Sequence, residues 1–108
     1  MSAAEEWTIQ ALTQAMNQMV ADKGWYDADS PAPQTPRNIA TSLVVEAAEV
    51  LEHFQWGEEA EPKALAGELA DVALYLLQLA YLTNVDLAQA ILDKIEFNYQ
   101  RSWNEPTG

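Results

Sequence analysis

The 108-residue chain contains no cysteine, which excludes both a disulfide framework and a thiolate zinc ribbon. Basic residues are scarce: five Lys and Arg stand against 17 Asp and Glu, for a formal net charge of −12. Nucleic acid polymers demand a basic surface to meet their phosphates, so no polymer partner is expected. Long apolar runs are also missing. The most apolar stretch, residues 72–82, has eleven residues and includes Gln78, too short to span a bilayer, so no membrane partner is expected. The opening Met-Ser-Ala-Ala-Glu-Glu-Trp has no basic-then-apolar signal signature, so a cytoplasmic location is expected. A Gly-rich phosphate loop, a G-x-S-x-G elbow and a dinucleotide fingerprint are all absent.

What the chain does have is a pair of acidic claws. Glu46-Ala-Ala-Glu49 and Glu68-Leu-Ala-Asp71 are separated by 18 residues that contain an acidic turn. Residues three apart share a helix face, so each motif projects two carboxylates together. Glu46 falls within the apolar stripe Ile39, Leu43, Val50, Phe54, where a carboxylate is costly to bury unless a positive partner meets it. Glu68 and Asp71 flank the stripe Leu65, Leu69, Val72, Leu76, Leu79. Two such helices joined by a short turn are antiparallel neighbours and bring all four carboxylates together. Hard oxygen donors, with a single His to compete, suit Mg²⁺ or Mn²⁺ over zinc. In so acidic a chain, an i,i+3 acidic pair also suits a solvated face, and spacing alone leaves both readings open. No E-x-x-H pair accompanies them, because Val50 lies three residues before the lone His53; this counts against a di-iron centre.

The length fits one domain, residues 1–108, with four helices expected at about 4–22, 38–56, 62–83 and 86–103. The first has Trp7, Leu12, Met16, Met19 and Val20 at near-helical spacing and stops at Lys23-Gly24, with Met16 and Met19 read as core filling. Residues 24–37 form a loop, because Pro31, Pro33 and Pro36 forbid a helix or a central strand. Trp25 at its start either covers the edge of the core or stacks on a base. His53, one turn past Glu49, is read as a hydrogen-bonded structural residue. Pro62 opens the third helix, which is apolar nearly all round: Ala70, Leu74, Leu77 and Tyr81 lie opposite the first stripe. Such a helix must be buried nearly all round, and a partner subunit supplies the cover, so a homo-oligomer is expected, a dimer or a dimer-of-dimers tetramer. Asp86 is the expected N-cap of the fourth helix. Lys94, Asn98 and Arg101, at i, i+4 and i+7, form a row on that helix, either as a solvated face or as an anion-binding one.

The E-x-x-E, spacer, E-x-x-D arrangement resembles the MazG-like, all-α nucleoside triphosphate pyrophosphohydrolases. Thr35-Pro36-Arg37-Asn38 and Phe54-Gln55-Trp56 point to the small dCTP pyrophosphatase branch, and Lys94-x-x-x-Asn98-x-x-Arg101 is similar to the family's helix-four motif. The resemblance implies a four-helix, bundle-like fold completed by homo-oligomerisation. It implies Mg²⁺-dependent hydrolysis of a nucleoside triphosphate between the α and β phosphates, as a nucleotide-pool house-cleaning activity. Carried onto this sequence, Glu46, Glu49, Glu68 and Asp71 hold the metal, with Glu46 and Glu49 as catalytic carboxylates and Glu49 taking the proton of the attacking water. Lys94, Asn98 and Arg101 meet the phosphates, while Trp25, Trp56, Tyr75 and Asn38 serve the base and sugar. The chain departs from the branch in two ways. The loop 24–37 is longer, and Met16 stands where the branch has a His, nine residues before Trp25. dCTP ranks first and dATP second as expected substrates. The rivals are a non-catalytic acidic helical oligomer that binds a protein, and the same fold acting on a phosphorylated metabolite such as phosphoribosyl-ATP.

Overall fold

The computed structural model describes residues 6–101, and among them every regular element is helical. The four helices are α1 (Ile9–Asp22), α2 (Pro36–Glu52), α3 (Pro62–Leu82) and α4 (Leu87–Gln100). The all-α class read from the periodicity is therefore what the chain adopts.

Each start is built by a side chain that satisfies an otherwise orphaned backbone N–H, a contribution of about 1 kcal/mol. Thr8 accepts from the Ala11 amide at 3.0 Å, Thr35 from Asn38 at 3.2 Å and Asp86 from Gln89 at 3.0 Å. Glu61 accepts from Lys63 and Ala64 ahead of α3, with Pro62 at the first helical position. Two helix ends close in the same way. Gly24, with φ of 75°, donates to the Ala21 carbonyl while Trp25 donates back to Val20. Asn84, with φ of 58°, and Val85 repeat this pattern on Tyr81 and Ala80.

These caps correct three expected boundaries. The first helix starts at Ile9, because Thr8 takes the cap; Trp7 stands before the helix, and residues 4 and 5 lie outside the described region. The second starts earlier than expected, at Pro36, and ends at Glu52, short of Trp56. Beyond it, Phe54, Gln55 and Gly57 donate to the carbonyls of Leu51, Glu52 and Phe54, three residues back, which makes tight turns in place of a helix. The fourth stops at Gln100: Arg101 is extended, and residues 102 and 103 lie outside the described region.

α3 is the central helix, packing most extensively on α2 and next on α1, while α4 meets α1 lightly. The core is small. Met16 and Val20 of α1 meet Leu77 of α3, with Ile9, Tyr26 and Leu87 at its rim, and Ile39 and Ala80 are also buried. Much apolar surface stays outside, including Leu69, Leu74, Leu76 and Tyr81 on α3 and Ile91, Leu92, Ile95 and Phe97 on α4. By length and mean hydropathy, 1.4 over its most apolar window, α3 is long enough to cross a bilayer. It carries Glu68, Asp71 and Gln78 along its length.

Candidate metal centre and adjoining cleft

The connector 53–61 returns the chain so that α3 lies along α2, and the two acidic motifs meet. One carboxylate oxygen from each of Glu46, Glu68 and Asp71 comes within 4.8 Å of the others, a separation that one cation can bridge. Glu46 and Glu68 are half-buried and Asp71 is exposed. Glu49 stands outside this triad, close enough to Glu46 and Glu68 for both to influence its proton affinity. His53, just past the end of α2, places Nε2 3.6 Å from Glu68 Oε1.

The electrostatics record the crowding. Glu46 is held above the ordinary glutamate range, first by the hydrogen bond with Glu68, then by partial burial, with the charges of Glu68 and Asp71 adding to the shift; Glu49 acts in the opposite sense. Glu49 is raised as well, by its hydrogen bond with Glu46 and then by the charge of Glu46. Carboxylates that raise one another's affinity for protons make a site that favours a cation in the protons' place. One imidazole cannot balance four of them. The donor set is all oxygen, which matches a hard divalent cation.

Asp71 also lines the end of a cleft of about 610 Å³. Its walls are Met16, Met19 and Val20 from α1, residues 31–34 from the loop, Ile39 and Ser42 from α2, and Leu74, Tyr75 and Gln78 from α3. Of the expected substrate residues, Trp25, Asn38 and Tyr75 line this cleft. Asn38 also anchors the loop, donating from Nδ2 to the Pro33 carbonyl at 2.9 Å.

Other expected site residues lie elsewhere. Trp56 is 92% exposed and does not line the cleft, because α2 ends before it and the following turns carry it outward. Lys94 and Asn98 sit on α4, whose residues 88–100 are all exposed, Arg101 follows its last residue, and none of the three lines the cleft. Lys94 and Arg101 instead flank the Phe97 ring, at 5.2 and 6.0 Å from its centroid. The residues that periodicity missed are Gln34 and Gln78. The available signal was Gln78 itself, a lone amide within the apolar run 72–82.

Fold and donor set together define an all-α protein with a candidate acidic cation site beside a largely apolar cleft. The chain is 34% identical to dCTP pyrophosphatase 1 of Rattus norvegicus over 110 residues, covering 93% of this chain and 62% of that protein. It is 33% identical to the Homo sapiens protein of the same name, with the same coverage. A shorter match, 47% identical over 38 residues, links 35% of the chain to 13% of a dATP/dGTP diphosphohydrolase of Salmonella phage PMBT28. No family model matches the chain. The chain is thus similar, over most of its own length, to dCTP pyrophosphatases, and it spans about three-fifths of the length of those it matches.

Proposed function

We propose that this protein is a Mg²⁺-dependent pyrophosphohydrolase that cleaves deoxynucleoside triphosphates, dCTP before dATP, to the monophosphate and pyrophosphate. The observation that carries this reading is the convergence of Glu46, Glu68 and Asp71 at the end of an apolar cleft that Asp71 itself lines. An acidic cation site beside an apolar slot suits a ligand with an anionic end and a flat, weakly polar one. A chain of net charge −12 repels a bare triphosphate, so a cation has to join the two.

Glu46, Glu68 and Asp71 would hold Mg²⁺, with Mn²⁺ as a substitute, and Glu49 would complete the set. A bound Mg²⁺ supplies charge neutralisation of the phosphates and a more acidic water for attack on the α phosphorus. Glu49, outside the triad and beside Glu46, would take a proton from that water. Tyr75, one turn beyond Asp71 on α3, faces the sugar, and Trp25 and Asn38 flank the base.

The phosphate row Lys94, Asn98 and Arg101, and Trp56 with it, would serve the site in a homo-oligomer, across a subunit boundary. Three features support an assembly. The accessible surface is 8472 Å² for a 12.0 kDa chain, where a compact monomer of that mass exposes about 6,000 Å². α4 leaves Leu92 60% and Ile95 48% exposed. α3 keeps an apolar face that neither α1 nor α2 covers. The acidic, oxygen-lined helix pair suits a soluble protein of the cytoplasm, in a house-cleaning role on the nucleotide pool.

The test is product analysis by anion-exchange chromatography, with the purified protein incubated with each dNTP and each NTP, with Mg²⁺ and with EDTA. Monophosphate plus pyrophosphate, formed only with metal and from deoxynucleotides first, is the expected result. Inorganic phosphate in place of pyrophosphate, or no turnover of any nucleotide, rejects the reading.

A further inference from the structure

Gln78 is 3% exposed and is the one polar residue among the buried ones in the described region. It also lines the cleft. Its carboxamide is oriented by a chain of hydrogen bonds whose directions can be worked out from one fixed end. Gln34 lies 2.7 Å from the Ala32 carbonyl, which only an amide NH₂ can meet, so Gln34 Nε2 points there. Gln34 Oε1 is then turned to Gln78, which must present Nε2 at 2.8 Å. The second hydrogen of that Nε2 faces the Tyr26 oxygen at 3.4 Å. Tyr26 gives its own proton to Asn17 Oδ1 at 2.5 Å, and burial, the largest influence on its hydroxyl, favours the protonated form.

Both N–H groups of Gln78 are therefore engaged, and its Oε1 accepts no hydrogen bond among the described residues. Among the described residues no side-chain polar atom sealed from solvent lacks a partner, so this oxygen opens onto the cleft. The result is a buried, fixed, outward-looking acceptor in a cleft that it shares with the apolar Met16, Val20 and Ile39 and with the polar Asn38, Ser42 and Tyr75. A buried acceptor of this kind discriminates strongly, because a ligand without a donor leaves it unpaired.

Its position along α3 says which part of a ligand it meets. Asp71, Tyr75 and Gln78 follow at i, i+4 and i+7 on one face, and at about 1.5 Å per residue Gln78 lies roughly 10 Å along the axis from Asp71. Phosphates held at the carboxylate end put the sugar beside Tyr75 and the far edge of the base at Gln78. Cytosine and adenine carry an exocyclic amino group on that edge, whereas uracil, thymine and guanine carry a carbonyl oxygen.

We propose that Gln78, aligned by Gln34 and Tyr26, is the base-discriminating residue of the cleft: its Oε1 accepts from the exocyclic amino group and repels a carbonyl. This rests on the reading of the cleft as a nucleotide site. The deciding pair is dCTP and dUTP, which carry amino and oxo groups respectively at the same ring carbon.

The wild-type protein is expected to favour dCTP over dUTP at least about tenfold in kcat/KM, the discrimination of one well-placed hydrogen bond. Gln78→Met, close in volume and without the acceptor, should bring that ratio near unity, chiefly by lowering turnover of dCTP. A purely structural role would lower both substrates equally and leave the ratio unchanged, and that result overturns the proposal. Wild-type protein that hydrolyses both equally overturns it without any variant, so a Gln78→Met chain that fails to fold does not rescue it. Calorimetric titration of wild-type protein with dCMP and dUMP in Mg²⁺ separates the two layers. Hydrolysis with equal binding of both monophosphates rejects only the role of Gln78, whereas no hydrolysis and no binding rejects the nucleotide site together with it.

Discussion

The α2–α3 pair carries the clustered carboxylates, while Lys94 of α4 and Arg101 just past it are two of the chain's five basic residues. The two groups are held in very different ways. In the pair, two amphipathic helices meet along their length and bring Glu46, Glu68 and Asp71 to one point, with Glu49 alongside. The charges are set by packing within one chain. α4 holds Lys94 and Asn98, with Arg101 just past its end, yet its residues 88–100 are all exposed and none of the three lines the cleft. The carboxylate cluster is thus assembled within one chain, whereas under the proposed function the row on the α4 side would join it only in an assembly. A cation site needs only two helices in register, whereas surrounding a triphosphate requires a further wall.

That contrast can be broken most sharply at the carboxylates. Glu68→Gln or Asp71→Asn should reduce Mg²⁺-dependent pyrophosphate release at least about 100-fold, through loss of metal holding. The same variants should melt in EDTA no lower than wild type, because they relieve repulsion, and should lose the rise in melting temperature that Mg²⁺ gives the wild type. A variant that keeps the Mg²⁺ rise places the metal elsewhere. On the other side of the comparison, Arg101→Ala should cost about 10- to 100-fold in kcat/KM, the loss of charge-assisted hydrogen bonds to phosphate, while leaving the Mg²⁺ rise intact. An Arg101→Ala enzyme with wild-type kinetics removes α4 from the site altogether.

The cover over α4 is tested by multi-angle light scattering, where a mass at a multiple of 12.0 kDa is expected. Ile95→Asp, which puts a charge on the exposed apolar side of α4, should shift the mass toward the monomer and lower activity in parallel. A 12.0 kDa particle with full activity shows instead that the α2–α3 half is sufficient. The smallest effect expected is on pH. Glu46 and Glu49 hold protons more tightly folded than unfolded, so their contribution to stability is complete below the ordinary glutamate value of 4.5 and is lost as pH rises through their raised folded values. The melting temperature of the EDTA-treated protein should therefore fall over that interval, and Mg²⁺ should flatten the fall. A metal-free melting temperature that climbs over the same interval contradicts the mutual repulsion.

Much of the fold was legible before any coordinates. Apolar periodicity placed four helices, and Pro62 and Asp86 marked two of their starts, because those signals act within a single turn. The ends were harder to read. Trp56 looked helical from spacing, but the turns after Glu52 close three residues back and carry it to 92% exposure. Thr8 caps the first helix although the apolar Trp7 before it also fits the helical spacing. Gln78 drew notice only as an interruption of an apolar run, since its role depends on Gln34, 44 positions away, and on Tyr26, 52 positions away.

The sequence by itself determined the helices, the two acidic claws and the shortage of positive charge, because each is a matter of local spacing or of composition. Tertiary structure alone decided that Glu46, Glu68 and Asp71 share one point while Glu49 stands beside it. It also decided that the longer loop lies against Gln78, and that α4 and its basic row stay outside the cleft. The physical reason is the same in each case. Periodicity fixes which face a side chain occupies, but the partner that face meets is set by how the remaining apolar surface is best buried, and that choice belongs to the whole chain.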